Sequence, residues 1–392
     1  MLPLPTMLRS PLLADLLRAP LLRGGLIGLL LTAPALAQSG RPDQVFVEGS
    51  KRKEIGTVVK NDLDEVVLER GGKERRIESG RIERIIWGQS STAFRDGLSD
   101  FGRGDYENAA LKFTTAATED EREVVQAVAR RMAGESLLRL GARDASQFQA
   151  AIDAFDSFLS DNPGSRDVPA VRALQARATW LRGNEGDAAK AGGLFRSLFE
   201  AGTGATPEEG YGRLESLEAG LQAMHALVAA GDTLGAREIR GVMTSELNSL
   251  MGSLEDGDPD LARLAVLAAE TQLVEGYVLL AGGQGKQAET FFNSQLAGAL
   301  DGPSALGFGA RHGLGLAQAA QGNHRDASIQ FATVASIDFT SRDRTASALL
   351  ELARCMLALE DSGAAQEARK RLTLVAESFG DTPYAAEARK ML

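Results

Sequence analysis

The spacing of apolar and polar positions changes once along the chain. From about Asp43 to Gly88 the runs are short and rich in β-branched residues: Val45-Phe46-Val47, Ile55-Gly56-Thr57-Val58-Val59, Glu65-Val66-Val67-Leu68-Glu69 and Ile82-Glu83-Arg84-Ile85-Ile86-Trp87. Turn-forming pairs such as Asn61-Asp62 and Gly71-Gly72 separate them. This pattern predicts a small sheet or partly open barrel of four or five strands over residues 43–88. A unit of that size is marginal by itself, so it is expected to pack on the chain immediately after it.

From Ser90 onward the period is helical and it repeats. The clearest copy is Gly104-Asp105-Tyr106-Glu107-Asn108-Ala109-Ala110-Leu111-Lys112-Phe113-Thr114-Thr115-Ala116. The frame returns as Ala151, Phe155, Phe158 and Pro163, then as Gly186, Ala191, Phe195 and Leu198. A weaker copy holds Gly231, Ala236 and Met243, with Arg240 at the aromatic position. Further copies hold Gly276, Gly283, Ala288 and Phe292; Gly315, Gly322, Ala327, Phe331 and Val334; and Gly363, Ala368, Leu372 and Val375. A small residue where two helices cross lets their backbones approach, and the large residue one turn on fills the gap. A glycine after the first helix supplies the left-handed conformation that ends it. The turn glycines expected on this basis are Gly104, Gly141, Gly186, Gly231, Gly283, Gly322 and Gly363.

The frame from Gly104 to Ala116 resembles the second helix of the tetratricopeptide repeat, and the resemblance extends over about three quarters of the chain. It implies a mainly α protein: a right-handed α-solenoid over residues 90–392, of about seven helix pairs and a capping helix from Tyr384. The strand-rich segment before it is similar to SH3-like or Sm-like barrels. The spacing of the turn glycines, about 37 to 52 residues, exceeds the family repeat. Ser160-Asp161-Asn162-Pro163-Gly164-Ser165 and the segment from Ser378 to Ala388 are similar to inter-repeat linkers of periplasmic members of this superfamily.

In that family the first helix of each pair lines the concave, partner-binding face. The frame places Phe94, Leu98 and Phe101 there, then Ala176 and Trp180, Leu221 and His225, Leu273 and Tyr277, and His312 and Leu316. Trp180, His225, Tyr277 and their leucine neighbours, together with His312 and Leu316, are the candidate protein-binding residues, and the first three would form one aromatic stripe. The opposing reading has these side chains packing between neighbouring helices. Phe94, Leu98 and Phe101 are expected to receive the β unit instead.

The amino end reads as an export signal. Arg9, Arg18 and Arg23 precede an apolar run from Gly24 to Ala37 that closes on Ala35-Leu36-Ala37, so residues 1–37 are read as a cleavable signal peptide. Met1 and Met7 both remain open as starts. The run is too short to span a bilayer, and no cysteine stands at the cleavage point to carry a lipid. The implied location is the periplasm, with no membrane insertion after cleavage.

The net charge of the whole chain is −10. Such acidity disfavours nucleic acid and anionic lipid surfaces as partners. The expected partners are other envelope proteins or peptides, and an oligomer is possible. The single cysteine, Cys355, lies in an apolar helical run and reads as a buried small hydrophobe.

Catalytic and cofactor signals are sparse. The three histidines have no metal-binding spacing. Gly282-Gly283-Gln284-Gly285-Lys286 lacks the strand and hydroxyl residue of a phosphate loop. Glu255-Asp256-Gly257-Asp258-Pro259-Asp260 has oxygen ligands at alternate positions but reads as a capping loop. No enzyme, cofactor or metal is therefore expected. The leading expectation is a non-enzymatic scaffold, and the alternative makes the β unit a ligand-binding head for a polysaccharide or small ligand, with the helices as spacer.

Overall fold

The computed structural model describes residues 41–50, 52–204, 206–299, 304–360 and 363–392. The expected signal peptide at 1–37 lies outside them. The strand-rich segment forms β1 (Asp43–Val47), β2 (Glu54–Asn61), β3 (Glu65–Arg70), β4 (Lys73–Glu78) and β5 (Ile82–Ile86). They make one antiparallel sheet in the order β4-β3-β2-β1-β5, with a 3-10 turn at Ser79–Arg81 leading into β5. Val45, Val47, Val58, Val66, Leu68, Ile77 and Ile82 form its core. Gly71 and Gly72, at φ 57° and 75°, make the two-residue turn between β3 and β4. The edge strand β4 exposes Lys73, Glu74, Arg75 and Arg76, charges that discourage a further strand from adding.

The remainder is helical. α1 (Thr92–Gly102) precedes α2 (Tyr106–Glu119), α3 (Glu123–Gly141) precedes α4 (Gln147–Asp161), and α5 (Val168–Arg182) precedes α6 (Asp187–Gly202). Then come α7 (Arg213–Ala229) and α8 (Thr233–Ser253), α9 (Pro259–Ala281) and α10 (Gly285–Gly298), and α11 (Ala305–Ala320) and α12 (His324–Ile337). α13 (Arg342–Leu359), α14 (Ala364–Ser378) and the short α15 (Tyr384–Met391) finish the chain. Each helix packs on the next in sequence. Acidic residues start several of them: Asp105, Asp232 and Asp258 accept from backbone N–H groups at the beginnings of α2, α8 and α9. Asp258 belongs to the acidic run of alternate oxygens and acts there as a cap.

Within the pairs, glycine notches receive aromatic rings. A Cβ on Gly97 would stand 2.9 Å from the Phe113 ring, one on Gly134 2.6 Å from Phe155, and one on Gly315 2.8 Å from Phe331. Gly276 meets Phe292 in the same way. All four rings are fully buried. Six of the seven expected turn glycines have φ between 72° and 83°; the exception is Gly141. That residue is the last of α3 and faces the Phe148 ring, so it is a packing glycine rather than a turn glycine. In the fourth pair Ile239 and Met243 fill the core, while Arg240 turns outward to Glu275 at 3.0 Å.

The sheet is fixed to the helices by a buried charge pair. Asp43 is fully buried, and its carboxylate accepts from the backbone N–H groups of Val58 and Gly88, each at 2.8 Å. Arg122, just before α3, donates to the same carboxylate at 2.6 and 3.1 Å and to the Val58 carbonyl at 2.9 Å. Trp87 packs against the cluster holding Phe94, Leu98 and Phe101. Beyond α4, the Leu63 N–H donates to the Gly164 carbonyl and the Arg166 N–H to the Asn61 carbonyl.

Two measurements check this packing. Gly134→Ala forces a methyl into the Phe155 ring and lowers unfolding free energy by about 1–3 kcal/mol. Gly241→Ala, at an exposed helical glycine with open space around it, raises it by up to about 1 kcal/mol. Denaturant titrations showing the same sign for both would refute the notch. Arg122→Ala strands a buried carboxylate and costs about 3–5 kcal/mol, whereas Asp43→Ala with Arg122→Ala together loses less than the sum of the single changes.

A buried polar stripe on the odd-numbered helices

The candidate residues fall on α5, α7, α9 and α11, and they are largely covered. Trp180 is 9% exposed, Leu221 8%, Leu273 0% and His312 5%. His225, Tyr277 and Leu316 are half-buried. Three of them touch in sequence across three helices: the His225 ring lies 6.1 Å from Tyr277, and Tyr277 lies 6.3 Å from His312. Trp180 stands apart from this run and sets its ring edge on Phe195 at 6.5 Å. The stripe thus runs from His225 to His312, not from Trp180 to Tyr277. Leu221 packs in the cluster that spans α5 to α9, Leu273 in the cluster with Phe292, and Leu316 against Phe331.

Glycines let the stripe close up. Gly309 on α11 presents its bare backbone to α9, where the Tyr277 hydroxyl donates to its carbonyl at 3.4 Å. A Cβ on Gly309 would overlap Leu273 and stand 3.5 Å from Arg344 Nη1 and 3.8 Å from Glu270 Oε2. Over this notch Glu270 of α9 pairs with Arg344 of α13, bridging α11. The same guanidinium binds Asp338 at 2.6 Å and the Thr340 hydroxyl at 2.9 Å. Burial opposes the charge on Arg344, but the Glu270 and Asp338 carboxylates outweigh it and hold its pKa above the ordinary value.

This triad was not among the candidates. Its one sequence signal is a lone acidic residue, Glu270, directly after the apolar run from Leu264 to Ala269 of α9. A single charge in a buried helix implies a partner on another element. Nothing local names Arg344, which is 74 residues away.

The imidazoles are held neutral. Burial, then the Arg344 charge, pushes His312 down to about 3. Burial also lowers His225, although the Glu270 and Asp343 carboxylates oppose it. Burial raises the Tyr277 phenol, with Glu270 acting in the same direction. His312 Nε2 meets the Ser347 hydroxyl at 3.0 Å, the separation of a nucleophile and its base. The arrangement fails as a catalytic pair on two counts. Nδ1 of His312 has no hydrogen-bonding partner among the described residues to orient the ring, and an imidazole titrating near 3 is too weak a base at neutral pH. Cys355 is 1% exposed, and burial pushes its thiol up to about 11, so it is inert.

Two shallow depressions lie elsewhere on the described surface. One, of about 570 Å³, lies over Gly283 to Thr290 at the start of α10, and no strand precedes that turn. The other, of about 210 Å³, lies on the sheet among Val47, Arg75 and Arg81 and is below the size of ordinary ligand pockets. No protein-family model matches the chain, and no curated protein matches it.

The depressed imidazoles make stability fall in acid. In the unfolded chain histidine titrates near 6.5, so between that pH and about 3 the unfolded state binds more protons than the folded one. Unfolding free energy is therefore highest above about pH 6.5 and declines below it. His312→Gln removes up to about one proton from this slope. Denaturant titrations from pH 4 to 8 check it, and an unchanged slope would show that His312 is protonated in the fold.

Proposed function

We infer that the chain is an exported, non-enzymatic scaffold of the tetratricopeptide type, a right-handed α-solenoid that holds other envelope proteins or peptides in the periplasm. The observation that carries this reading is the recurring interlock of a glycine on the first helix with a buried ring on the second, at Gly97, Gly134, Gly276 and Gly315. It is the packing rule of stacked hairpins, each of which needs a neighbour to complete its core. His225 of α7, Tyr277 of α9 and His312 of α11 form one line across alternate helices, and such lines are where arrays of this type meet extended or helical ligands. The strand order of the amino-terminal sheet and its 3-10 turn support an SH3-like reading of that unit. Its attachment through Arg122 and Asp43 favours a fixed flank of the scaffold over an independent head.

The test is capture from envelope extract of the native host with the immobilised mature chain. The expected outcome is a small, reproducible set of envelope proteins, whose recovery Tyr277→Ala reduces about tenfold or more while helix content stays unchanged. Equal recovery with the variant would remove the stripe from the binding surface. Recovery of no specific protein, or of the chain from the cytoplasmic fraction, would overturn the reading.

A further inference from the structure

The last helix returns to the first half of the molecule. Arg389 of α15 donates to the Ala142 carbonyl, at the corner after α3, at 3.3 Å. Gly380, in the linker before α15, lies so close to that carbonyl that a Cβ could not be accommodated. Gly183, at the end of α5, faces Ala386, with 3.1 Å left between a Cβ built on the glycine and the alanine methyl. Arg177 of α5 binds the Asp343 carboxylate at 3.1 and 3.3 Å and the Asp381 carbonyl at 2.7 Å. The carboxy-terminal helices therefore meet α5 and the corner after α3 along a seam, about 160 to 250 residues apart in sequence.

The seam differs in kind from the other helix contacts. Among the described residues, the buried members of each helical apolar cluster come from helices that follow one another in the chain. The cluster that holds α15 contains only α13, α14 and α15 residues with the Phe379 linker. The cluster of α3 to α5 contains none of them. What crosses the seam is a guanidinium pair, hydrogen bonds to two carbonyls, and contact between small residues. The Arg177 and Asp343 side chains keep 20% and 34% of their surface in water, so water replaces this pair more easily than it enters an apolar core, and small polar interfaces within a chain permit relative motion of the parts they join.

We propose that this seam is a gate. The carboxy-terminal linker and α15 cover the inner face of α5 by occupying Arg177 and the Ala142 corner, and the array opens there to admit a partner segment. That segment is a short helix or turn that offers Arg177 a carboxylate and a free carbonyl, the groups Asp343 and Asp381 now supply. The proposal rests on the scaffold reading for its purpose but not for its test. Trp180 sits one turn from Arg177, whose guanidinium lies 6.0 Å from the indole, so it reports on the seam.

In a Trp87→Phe background Trp180 is the one remaining tryptophan. Arg177→Glu places like charges at the seam. The expected result is a rise of at least about twofold in the acrylamide quenching constant of Trp180 and faster hydrogen exchange of the Tyr384–Met391 amides, with far-UV dichroism unchanged. Adding Asp343→Arg restores the pair with its charges reversed and brings both readouts back toward the parent. Gly380→Val, which presses on the Ala142 carbonyl, opens the seam by a separate route. If Trp180 stays as protected in both single variants as in the parent, or if Asp343→Arg gives no recovery, the gate is wrong. Such a failure leaves the scaffold reading standing, because no partner enters the measurement. Loss of specific capture from envelope extract would remove the scaffold and leave the gate.

Discussion

The fold depends on close approach of helix backbones at glycine. Where Gly97, Gly134, Gly276 and Gly315 face Phe113, Phe155, Phe292 and Phe331, the ring occupies the space a side chain would take. Burying an aromatic ring in such a notch brings a large apolar area out of water and fixes the separation of the two helices. Interiors this dense accommodate an added methyl only by displacing a ring that has nowhere to go. The notch recurs in four of the helix pairs, and the buried apolar clusters join neighbouring helices.

The same absence of side chains shapes the interior. Gly309 allows α9 and α13 to exchange an ion pair across α11, so three alternate helices are tied at one point. Burying a charged triad is costly unless every member is paired. Arg344 meets that condition with two carboxylates and a hydroxyl. Around it His225, Tyr277 and His312 form a run of edge contacts, held neutral by the dry surroundings. The inner line of the array is thus a packed polar spine over this stretch. Apolar clusters bind helices to their neighbours in sequence, whereas the described contacts of α3 to α5 with the carboxy-terminal helices are polar groups and small side chains.

Much of the local structure is legible in the residues. Period-two runs with Gly71-Gly72 between them mark strands, and the recurring small-residue and aromatic positions mark helices with glycine turns, because both signals arise within a few residues. Gly141 departs from its expected role for an instructive reason. A glycine near a helix end looks the same in sequence whether it supplies a left-handed turn or makes room for a ring, and the choice is made by Phe148 on the following helix. Arg240 weakens the fourth frame, yet Ile239 and Met243 supply the same volume.

The residues alone were enough to set the helical and strand character of the chain, the small-residue crossings and the burial of Cys355, since each is a property of side chains within one or two turns of one another. Three-dimensional packing was needed to cover the candidate stripe, to route it through His312 rather than Trp180, and to pair Glu270 with Arg344. Packing also brought Arg177 to Asp343 and Arg389 to Ala142. Contacts between groups 74 to 247 residues apart depend on how many successive helices pack on one another, which no local pattern encodes.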